Sequence, residues 1–332
     1  MKILFIGAQE RFETYRPKEG ELGAFAASCE KRYLRRGADA RQIVEAGQGA
    51  AAIVADPMTA VPGEAIRALP ELRLIQSEGV GINGFDRPAA DEAGVMICNC
   101  KGVNAGAVAE QNILLSLMLL RRGICADAAV RRGGQMPMKE AMMLGGITEL
   151  SQCRVGLLGF GDIARATARR LAPFGCEVSY WNRTRRGEEE ERDYGVQYRE
   201  KEELIGMSDI VMLCLAVTPE TAGMVDHDFL AAMKPGAFLI NTARGDLVDN
   251  AALQDALENG TLGGAGLDTL FPEPVLADHP LLHMAPAAME KVIFSPHIGG
   301  ITVGSFTRAH RLIWENLWRL SRGERPLYVT NG

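Results

Sequence analysis

The chain has 332 residues, of which 47% are hydrophobic, and a formal net charge of −6. This length allows a sizeable core divided between two domains of ordinary size. The negative charge argues against nucleic acid as a partner, because the basic clusters are short and mixed with acidic residues. No apolar run approaches the ~20 residues that a membrane span needs. We therefore expect neither a nucleic-acid nor a membrane partner.

The cysteines favour a reducing compartment. There are seven, scattered along the chain, and an odd number without a local framework is typical of a reduced cytoplasmic protein. The opening MKILFIGA is too short for the core of a signal peptide and is interpreted as a strand. Cys98 and Cys100 are the one close pair. Because no second cysteine or histidine pair lies near them, no metal site is predicted.

The first hundred residues alternate short apolar runs with helical patterns. Strands are predicted at residues 2–6, 51–54, 72–76 and 95–97, helices at 21–36, 63–69 and 87–93, and a loop at 12–19. Such alternation is typical of a parallel sheet with helical crossovers. After the third strand, Gly79, Gly81 and Gly84 mark a turn whose backbone N–H groups could bind an anion. The alternative is a glycine turn that binds nothing.

Two less regular stretches follow. Residues 105–122 predict a helix that is apolar over much of its surface, and such a helix crosses between domains or enters a subunit interface. Residues 131–146 are rich in Gly and Met and have no clear period. They form either an arm over a neighbouring subunit or a mobile surface loop.

Residues 153–182 carry the motif around which the chain is organised, CRVGLLGFGDIARATARRLAPFGCEVSYWN. Its pattern of strand, glycine turn, helix and second strand indicates the opening βαβ unit of a dinucleotide-binding domain. Gly159 permits the tight turn, Gly161 lets the backbone approach a pyrophosphate, and Ala164 lets helix and strand pack closely. The N-terminus of the helix would face the phosphates.

The end of the second strand bears on which nucleotide is bound. A ribose 2′-hydroxyl is usually held by Asp or Glu about 20 residues past the glycines. Here residues 182–186 read NRTRR, with no acid. NADP(H) is therefore favoured and NAD(H) is the alternative, because arginine binds the 2′-phosphate in such sites. The structural alternative is a solvated basic turn whose charge is offset by the four glutamates at 188–191.

The rest of the chain continues the α/β alternation. Strands are predicted at 210–215, 238–241 and 264–267, and helices at 200–205, 250–258 and 302–321. Each strand ends in a polar or glycine-rich turn, where ligands bind in open α/β sheets. Trp314 and Trp318, one turn apart in the last helix, indicate core packing. Of the five histidines, only His297 lies in a strand-end glycine turn, and the others are interpreted as peripheral.

Several ordered motifs together resemble the D-2-hydroxyacid dehydrogenase family over nearly the whole chain. They are VNAGAVAEQ at 103–111, VGLLGFGDIA at 155–164, VTPET at 217–221, MKPGAFLINTARGDLVD at 233–249, GGAGLDTLFPEP at 263–274 and SPHIGGIT at 295–302. The resemblance implies an α/β fold of two Rossmann-like, doubly wound parallel-sheet domains. A flavodoxin-like substrate domain would comprise residues 1–100 and 300–332. A dinucleotide-binding Rossmann domain, residues 101–299, would be inserted in it.

By this resemblance Arg244, Glu273 and His297 are the catalytic residues. Reduction of a 2-keto acid needs a hydride from a nicotinamide and a proton on the carbonyl oxygen, which His297 could donate. Glu273 beside it would hold the ring in its acid form. Arg244 would bind the substrate carboxylate and polarise the carbonyl. The backbone N–H groups of Val80 and Gly81 would also receive that carboxylate. Taken singly, the three could instead be a surface arginine, a solvated glutamate and a core histidine.

The glycine motif and the resemblance together assign cofactor binding to residues at several strand ends. These are Val108, Gly159, Phe160, Gly161, Asp162, Ile163, Asn182, Arg183, Thr184, Leu215, Ala216, Thr221, Thr242, Ala243, Asp268, Gly299 and Gly300. Among them Asp268 would face the nicotinamide.

The sequence thus predicts an NAD(P)-dependent oxidoreductase that interconverts a 2-keto acid and its D-2-hydroxy acid, with glyoxylate or hydroxypyruvate as the first substrates to consider. The family also implies a homodimer, although residues 131–146 lack the tryptophan often found in such an arm. Two alternatives stay open. One is a nicotinamide-sensing regulatory protein, such as a corepressor, on the same fold. The other is a formate- or phosphite-type dehydrogenase, and Glu273 disfavours the formate type, where a neutral amide is expected.

Overall fold

The chain divides into two compact units in a computed structural model that describes residues 1–331. The first unit comprises Met1–Asn104 together with the chain from Thr302 onward, and the second comprises Ala105–Ile301. Each unit contains one wholly parallel sheet, of five strands in the first and seven in the second. The prediction of two Rossmann-like α/β folds is confirmed.

The first unit begins with five strands and five helices. In chain order these are β1 (Lys2–Ile6), α1 (Gln9–Tyr15), α2 (Gly20–Ser28), β2 (Glu30–Leu34), α3 (Ala40–Gly47), β3 (Ala52–Ala55), α4 (Gly63–Arg67), β4 (Leu74–Ser77), α5 (Arg87–Glu92) and β5 (Met96–Cys98). The strand order is β2-β1-β3-β4-β5, which is the order of flavodoxin-like sheets. Strands β3 and β4 are buried throughout, and strands covered on both faces form as continuous apolar runs.

Two predictions in this region were wrong. The helix predicted at 21–36 ends at Ser28, and Glu30–Leu34 forms the edge strand β2, paired residue for residue with β1. Its sequence EKRYL contains no buried residue and is mostly charged, as edge strands often are because charges discourage pairing with another chain, so no apolar run signals it. The loop predicted at 12–19 is helical as far as Tyr15, with Phe12 as its one buried residue. One buried position gives no readable period.

The second unit carries the glycine motif. Its elements are α6 (Ala105–Leu120), α7 (Gly123–Arg131), α8 (Gln135–Gly145), β6 (Arg154–Leu158), α9 (Asp162–Leu171), β7 (Glu177–Trp181), α10 (Glu188–Tyr194), β8 (Gln197–Tyr198), α11 (Lys201–Met207), β9 (Ile210–Leu213), α12 (His227–Ala232), β10 (Phe238–Asn241), α13 (Asn250–Glu258), β11 (Gly264–Leu267), α14 (Pro286–Met289) and β12 (Val292–Phe294). Short 3₁₀ turns span Leu150–Gln152, Ala172–Phe174, Gly245–Leu247 and Pro280–Leu282.

The strand order of the second unit fixes where a ligand can bind. It is β12-β11-β10-β9-β6-β7-β8, so the order reverses at β6, which pairs with β7 on one side and β9 on the other. Ligands of open α/β sheets bind at such a reversal, beyond the carboxyl ends of the strands. Helix α6 packs against α9 and across β10, β11 and β12, which explains why it is apolar on most sides.

The last helix, α15 (Val303–Ser321), belongs to the first unit. Trp314 is buried there against Phe5 and Phe25. Trp318 is only half-buried, and the guanidinium of Arg322 lies over its ring, so core packing was right for one tryptophan of the pair. Within residues 1–331, no helix combines the length and apolar character that a membrane span requires.

Candidate active site and nucleotide-binding region

The turn between β6 and α9 leaves backbone donors and open space together. Gly159 has a φ of 92°, and a Cβ there would lie 2.5 Å from the carbonyl oxygen of Cys214. At Gly161 a Cβ would meet no atom within 4 Å. The N–H groups of Gly161, Asp162 and Ile163 find no acceptor within residues 1–331. Unpaired donors at the start of a ten-residue helix, approached without obstruction, fit the pyrophosphate of a dinucleotide.

The glycine turn is fastened on both sides by the segment that follows β7. Gly159 N donates to the carbonyl oxygen of Trp181 at 2.8 Å, and Phe160 N donates to the side-chain oxygen of Asn182 at 3.3 Å. The guanidinium of Arg186 donates to the carbonyl oxygen of Phe160 at 3.3 Å. Asn182 therefore shapes the turn, a role that its position in the sequence did not reveal.

The basic segment after β7 is partly structural. Arg185 donates to both carboxylate oxygens of Glu191 at 2.9 Å, and these bonds hold the pKa of the Glu191 carboxyl below its usual range. Burial raises the pKa of Tyr180 to about 12, and its hydroxyl accepts from Arg186 N at 2.8 Å. The alternative of a basic turn whose charge is offset by the glutamates at 188–191 thus accounts for Arg185.

Arg183 and Thr184 follow Asn182 on the surface. Both are exposed, and neither side chain makes a hydrogen bond or an ion pair with the described part of the chain. They stand one and two residues beyond Asn182, and no carboxylate lies among residues 182–184. The hydrogen bond from Thr218, and to a smaller extent the charge of Arg183, lower the pKa of the Glu220 carboxyl, so this acid lies near the guanidinium.

Three neighbouring strands carry the predicted catalytic residues on the loops at their carboxyl ends. Arg244 follows β10, Glu273 follows β11 and His297 follows β12. His297 Nδ1 lies 2.9 and 3.0 Å from the two carboxylate oxygens of Glu273, and each side chain is about one-third exposed. Because a carboxylate only accepts hydrogen bonds, this contact selects the form of the ring that donates from Nδ1. The imidazole Nε2 makes no hydrogen bond within residues 1–331.

Arg244 is half-buried and makes no hydrogen bond or ion pair with Glu273 or His297. One of its terminal nitrogens donates to the carbonyl oxygen of Ala243 at 2.6 Å, which leaves its other donors available. Its backbone is fixed from both sides. Asn241 donates to the carbonyl oxygen of Arg244 at 2.8 Å, and a Cβ on Gly245 would lie 2.0 Å from the carbonyl carbon of Leu270. The arginine loop and the loop leading to Glu273 are therefore in direct backbone contact.

Asp268 binds the histidine loop rather than standing free. Its carboxylate accepts from Ser295 Oγ at 2.5 Å, Ile298 N at 3.0 Å and Gly299 N at 2.8 Å, and its carbonyl oxygen accepts from His297 N at 2.8 Å. The side chain is 2% exposed. Sequence reasoning missed Ser295, whose hydroxyl also accepts from Gln111 Nε2 at 2.9 Å. A serine next to a strand end gives no local signal of such a role.

The Thr242 hydroxyl is also engaged within the protein. It donates to Asn112 Oδ1 at 2.7 Å, and Asn112 Nδ2 donates to Thr167 Oγ1 at 3.2 Å. Thr167 in turn donates to the carbonyl oxygen of Ile163 in the first turn of α9 at 2.9 Å. This chain of buried hydrogen bonds joins the loop of Arg244 to the helix that begins at the glycine turn.

The other predicted cofactor residues lie at the same carboxyl edge or beneath it. Leu215 approaches the glycine turn, since its side chain would lie 3.0 Å from a Cβ on Gly159. Thr221 Oγ1 donates to the carbonyl oxygen of Ala216 at 2.8 Å and shapes that turn. Val108 is buried in α6, and Gly299 is buried beside Asp268.

In the first unit, the loop after β4 has its carbonyl groups bound and two N–H groups free. The carbonyl oxygen of Gly79 accepts from Cys100 N at 2.8 Å, that of Val80 from Asn99 Nδ2 at 3.0 Å, and that of Gly81 from Ser77 Oγ at 2.7 Å. The N–H groups of Val80 and Gly81 have no acceptor within residues 1–331. Successive free N–H groups of this kind form an anion-binding concavity.

Comparison with known proteins identifies the family to which this chain is similar. A family model described as D-isomer specific 2-hydroxyacid dehydrogenase, NAD binding domain, matches residues 113–299. A glyoxylate reductase of Korarchaeum cryptofilum is 34% identical over 279 residues, which are 84% of this chain and 81% of the relative. A glyoxylate reductase of Thermococcus onnurineus is 35% identical over 275 residues, 82% of this chain and 80% of the relative. The crystal structure of the TT0316 protein from Thermus thermophilus matches with a TM-score of 0.84 and 29% identity, covering 99% of this chain and 100% of that one.

The two turn glycines make a matched test of the nucleotide region. Gly161→Ala should leave the melting temperature nearly unchanged, because its φ of −90° and the open space both accept a Cβ. It should weaken nucleotide binding about tenfold or more, since the methyl group would occupy the approach to the free donors. Gly159→Ala should instead lower the melting temperature. Calorimetric titration with NADPH and NADH, beside thermal unfolding, checks both. Unchanged affinity in Gly161→Ala would place the phosphates elsewhere.

Proposed function

Since the chain belongs to the D-isomer specific 2-hydroxyacid dehydrogenase family and is an oxidoreductase that transfers a hydride between a nicotinamide cofactor and a 2-keto acid, we propose that Arg244, Glu273 and His297 are its catalytic residues. The observation that carries the proposal is the contact of His297 Nδ1 with both oxygens of Glu273, which leaves Nε2 free. In this arrangement Glu273 stabilises the charged imidazole and His297 is the proton donor.

Each of these residues has a separate role in the proposed reaction. The bound nicotinamide supplies or accepts the hydride. His297 donates its Nε2 proton to the carbonyl oxygen during reduction and takes it back in the reverse direction. Arg244, with unused guanidinium donors, binds the substrate carboxylate and draws charge toward the carbonyl oxygen. Val80 and Gly81 supply the free N–H groups that also receive the carboxylate. The glycine turn and the first turn of α9 hold the pyrophosphate.

His297→Asn is the sharpest test of the proton donor. Asparagine tolerates the positive φ of 55° found at this position, so the loop can keep its shape while the acid is lost. We expect kcat to fall by about 10²-fold or more, with cofactor affinity unchanged in a titration. His227→Asn is the matched control, because His227 also contacts a carboxylate, that of Asp255 at 3.1 Å, on the surface of the same unit. Near-normal kcat in His297→Asn would remove this histidine from the mechanism.

We propose glyoxylate or hydroxypyruvate as the substrate. The support is the name of the two relatives at 34% and 35% identity, glyoxylate reductase. A panel of 2-keto acids with NADPH and NADH, followed by nicotinamide absorbance, ranks the substrates by kcat/KM. A sensor on the same fold would bind the cofactor and reduce none of them.

We propose NADP(H) as the preferred cofactor. Residues 182–184 contain no carboxylate that would repel a 2′-phosphate, and the exposed side chains of Arg183 and Thr184 make no hydrogen bond or ion pair within residues 1–331, although the charge of Arg183 acts on the nearby Glu220. Arg185 and Arg186 are engaged with Glu191 and with the glycine turn, so Arg183 is the residue that carries the preference. A guanidinium suits a phosphate because its planar donors can form two bonds with it.

Arg183→Ala should separate the two cofactors. We expect the KM for NADPH to rise about tenfold, the effect of losing one charge-assisted contact, with the KM for NADH nearly unchanged. Arg192→Ala is the control, because Arg192 is exposed in α10 and its one ion pair within residues 1–331 is with Glu188 at 3.7 Å. Equal effects of Arg183→Ala on both cofactors would contradict a 2′-phosphate contact.

We propose the cytoplasm as the compartment. All seven cysteines are free thiols, including the neighbours Cys98 and Cys100. Burial raises the pKa of Cys98 to about 12, so this thiol is protonated and unreactive at neutral pH. Unreactive buried thiols suit a reducing environment.

We further propose that the protein is a homodimer whose interface includes α7 and α8. Neither helix has a buried residue, yet several of their apolar side chains and that of a neighbour are about half exposed or more. These are Ile124, Val130, Met136, Met143, Leu144 and Ile147. Several exposed apolar side chains within one segment are typical of an interaction surface, which favours the arm over the mobile-loop interpretation of residues 131–146.

Leu144→Glu combined with Met143→Glu tests this interface. Leu144 is 90% and Met143 73% exposed, so the unit itself should stay folded, whereas two charges inside a dimer interface would be costly. Light scattering after gel filtration should show twice the mass of one chain for the native protein and one chain for the double variant. Phe174→Glu, at a 41% exposed residue outside this segment, should keep the dimer mass. A native monomer, or a double variant that stays dimeric, would contradict the proposal.

A further inference from the structure

Two carboxylates and a histidine are buried at the carboxyl edge of the first unit's sheet. None of them belongs to the proposed catalytic residues or cofactor contacts. Asp56 follows β3 and Glu78 follows β4, and each is 4% exposed. His310, in α15, is 0% exposed. Arg11, in α1, reaches both carboxylates. Buried ions cost free energy unless they are paired, so each contact in this cluster matters.

Glu78 is held from two sides. Arg11 Nε donates to one carboxylate oxygen at 2.8 Å, and a terminal nitrogen of Arg11 donates to the other. His310 Nε2 donates to the first oxygen at 2.8 Å. The arginine is itself fixed, because it also donates to Asp56 at 2.9 Å, and Asp56 accepts from Arg36 at 2.6 Å.

The histidine is oriented by this one bond and by ring contacts. Its ring centroid lies 5.8 Å from that of Phe12 and 5.7 Å from that of Tyr15. Its Nδ1 is buried without a hydrogen-bond partner in residues 1–331. The ring leaves Nδ1 buried without a partner, which costs free energy, and bonds Glu78 through Nε2. The bond to Glu78 is therefore the polar contact that this position of the ring provides.

Glu78 directly precedes the loop with the free N–H groups. Its own N–H donates to the carbonyl oxygen of Ala55 at 2.8 Å, so backbone and side chain of this residue are both fixed. The next residue begins the stretch Gly79 to Gly81, whose carbonyl oxygens are all occupied. The way Glu78 is held therefore fixes where the chain enters this loop, and the bound carbonyl groups of Gly79 and Val80 then set the direction of the Val80 and Gly81 N–H bonds.

We propose that Glu78, clamped by Arg11 and His310, is a positioning residue that sets the Val80 and Gly81 N–H groups to receive the substrate carboxylate. The inference rests on the proposed function of those two N–H groups. Arg11 has a second effect, because its positive charge offsets a glutamate that would otherwise repel an anion bound two residues away. An ion cluster is a poor way to gain stability over apolar packing, so its presence beside this loop favours a positioning role.

The effect should fall on substrate binding rather than on the chemical step. Both N–H groups would bind the carboxylate equally in the ground state and the transition state, so their misplacement raises KM and leaves kcat unchanged. For Glu78→Gln we expect the KM for the 2-keto acid to rise about tenfold, with kcat within about twofold and the KM for the cofactor unchanged. The dissociation constant of oxamate, an unreactive carboxylate analogue, measured on the enzyme with reduced cofactor, should rise by the same factor.

His310 supplies a pair of variants that separates positioning from packing. His310→Gln keeps an N–H donor for Glu78 and should have a KM close to that of the native enzyme. His310→Leu keeps the volume but removes the donor, and its KM should match that of Glu78→Gln. Glu92→Gln is the control, since Glu92 forms an exposed ion pair with Arg67 at 2.9 Å in the same unit and should change neither constant. The thermal unfolding of every variant is measured beside its kinetics. If His310→Leu does not fold, the KM values of Glu78→Gln and His310→Gln, compared with that of the native enzyme, decide the test.

The outcomes are distinct. Glu78→Gln with unchanged KM and oxamate affinity, while Arg244→Lys raises both, would overturn this inference and leave the proposed function standing. Equal loss in His310→Gln and His310→Leu, or a KM for the cofactor that rises with that for the keto acid, would reduce the cluster to a structural role and also overturn it. A native enzyme that reduces no 2-keto acid and binds no oxamate would remove the proposed function, and the inference with it.

Discussion

The carboxylate of Asp268 fixes the backbone on which the placement of His297 depends. His297 has a φ of 55°, a conformation that costs a residue with a Cβ free energy and persists only where neighbouring contacts impose it. Asp268 imposes it, with its carbonyl oxygen bound to His297 N and its carboxylate bound to the next two N–H groups and to the Ser295 hydroxyl. The Asp268 side chain, which was predicted to face the nicotinamide, therefore binds the backbone of the histidine loop.

The parallel sheet explains how residues far apart in sequence reach one edge. β10, β11 and β12 are adjacent and parallel, in register from Phe238–Gly264 and Ala265–Val292 onward, so their following loops emerge side by side. The close approach of Gly245 to Leu270 then locks the first of these loops to the second. A side chain on residue 245 would push the arginine loop away from the loop of Glu273, which is why glycine follows Arg244 here.

Sequence reasoning succeeded where one strand or one turn carries its own signal. The bounds of β1, β10, β11 and α13 were predicted to the residue, because each is an apolar run or an amphipathic segment with a clear end. It failed where the cause lies far away. The edge strand β2 is recognisable only from its pairing with β1. His279 and His310 were interpreted as peripheral but are 4% and 0% exposed, and the partner of His310, Glu78, is 232 positions away. No local pattern encodes that contact.

The candidate anion sites of both units consist of free backbone N–H groups, but the two units direct these groups differently. In the second unit the free N–H groups belong to a helix start, and a glycine with no atom within 4 Å of its missing Cβ keeps the approach open. In the first unit no helix is involved, and the N–H groups are directed because the carbonyl groups of Gly79, Val80 and Gly81 are bound. The first arrangement depends on the absence of a side chain and tolerates change around it. The second depends on side-chain partners, Ser77 and Asn99 on the loop carbonyls and Arg11 and His310 behind Glu78. Its binding strength should therefore respond to substitutions that never touch the ligand.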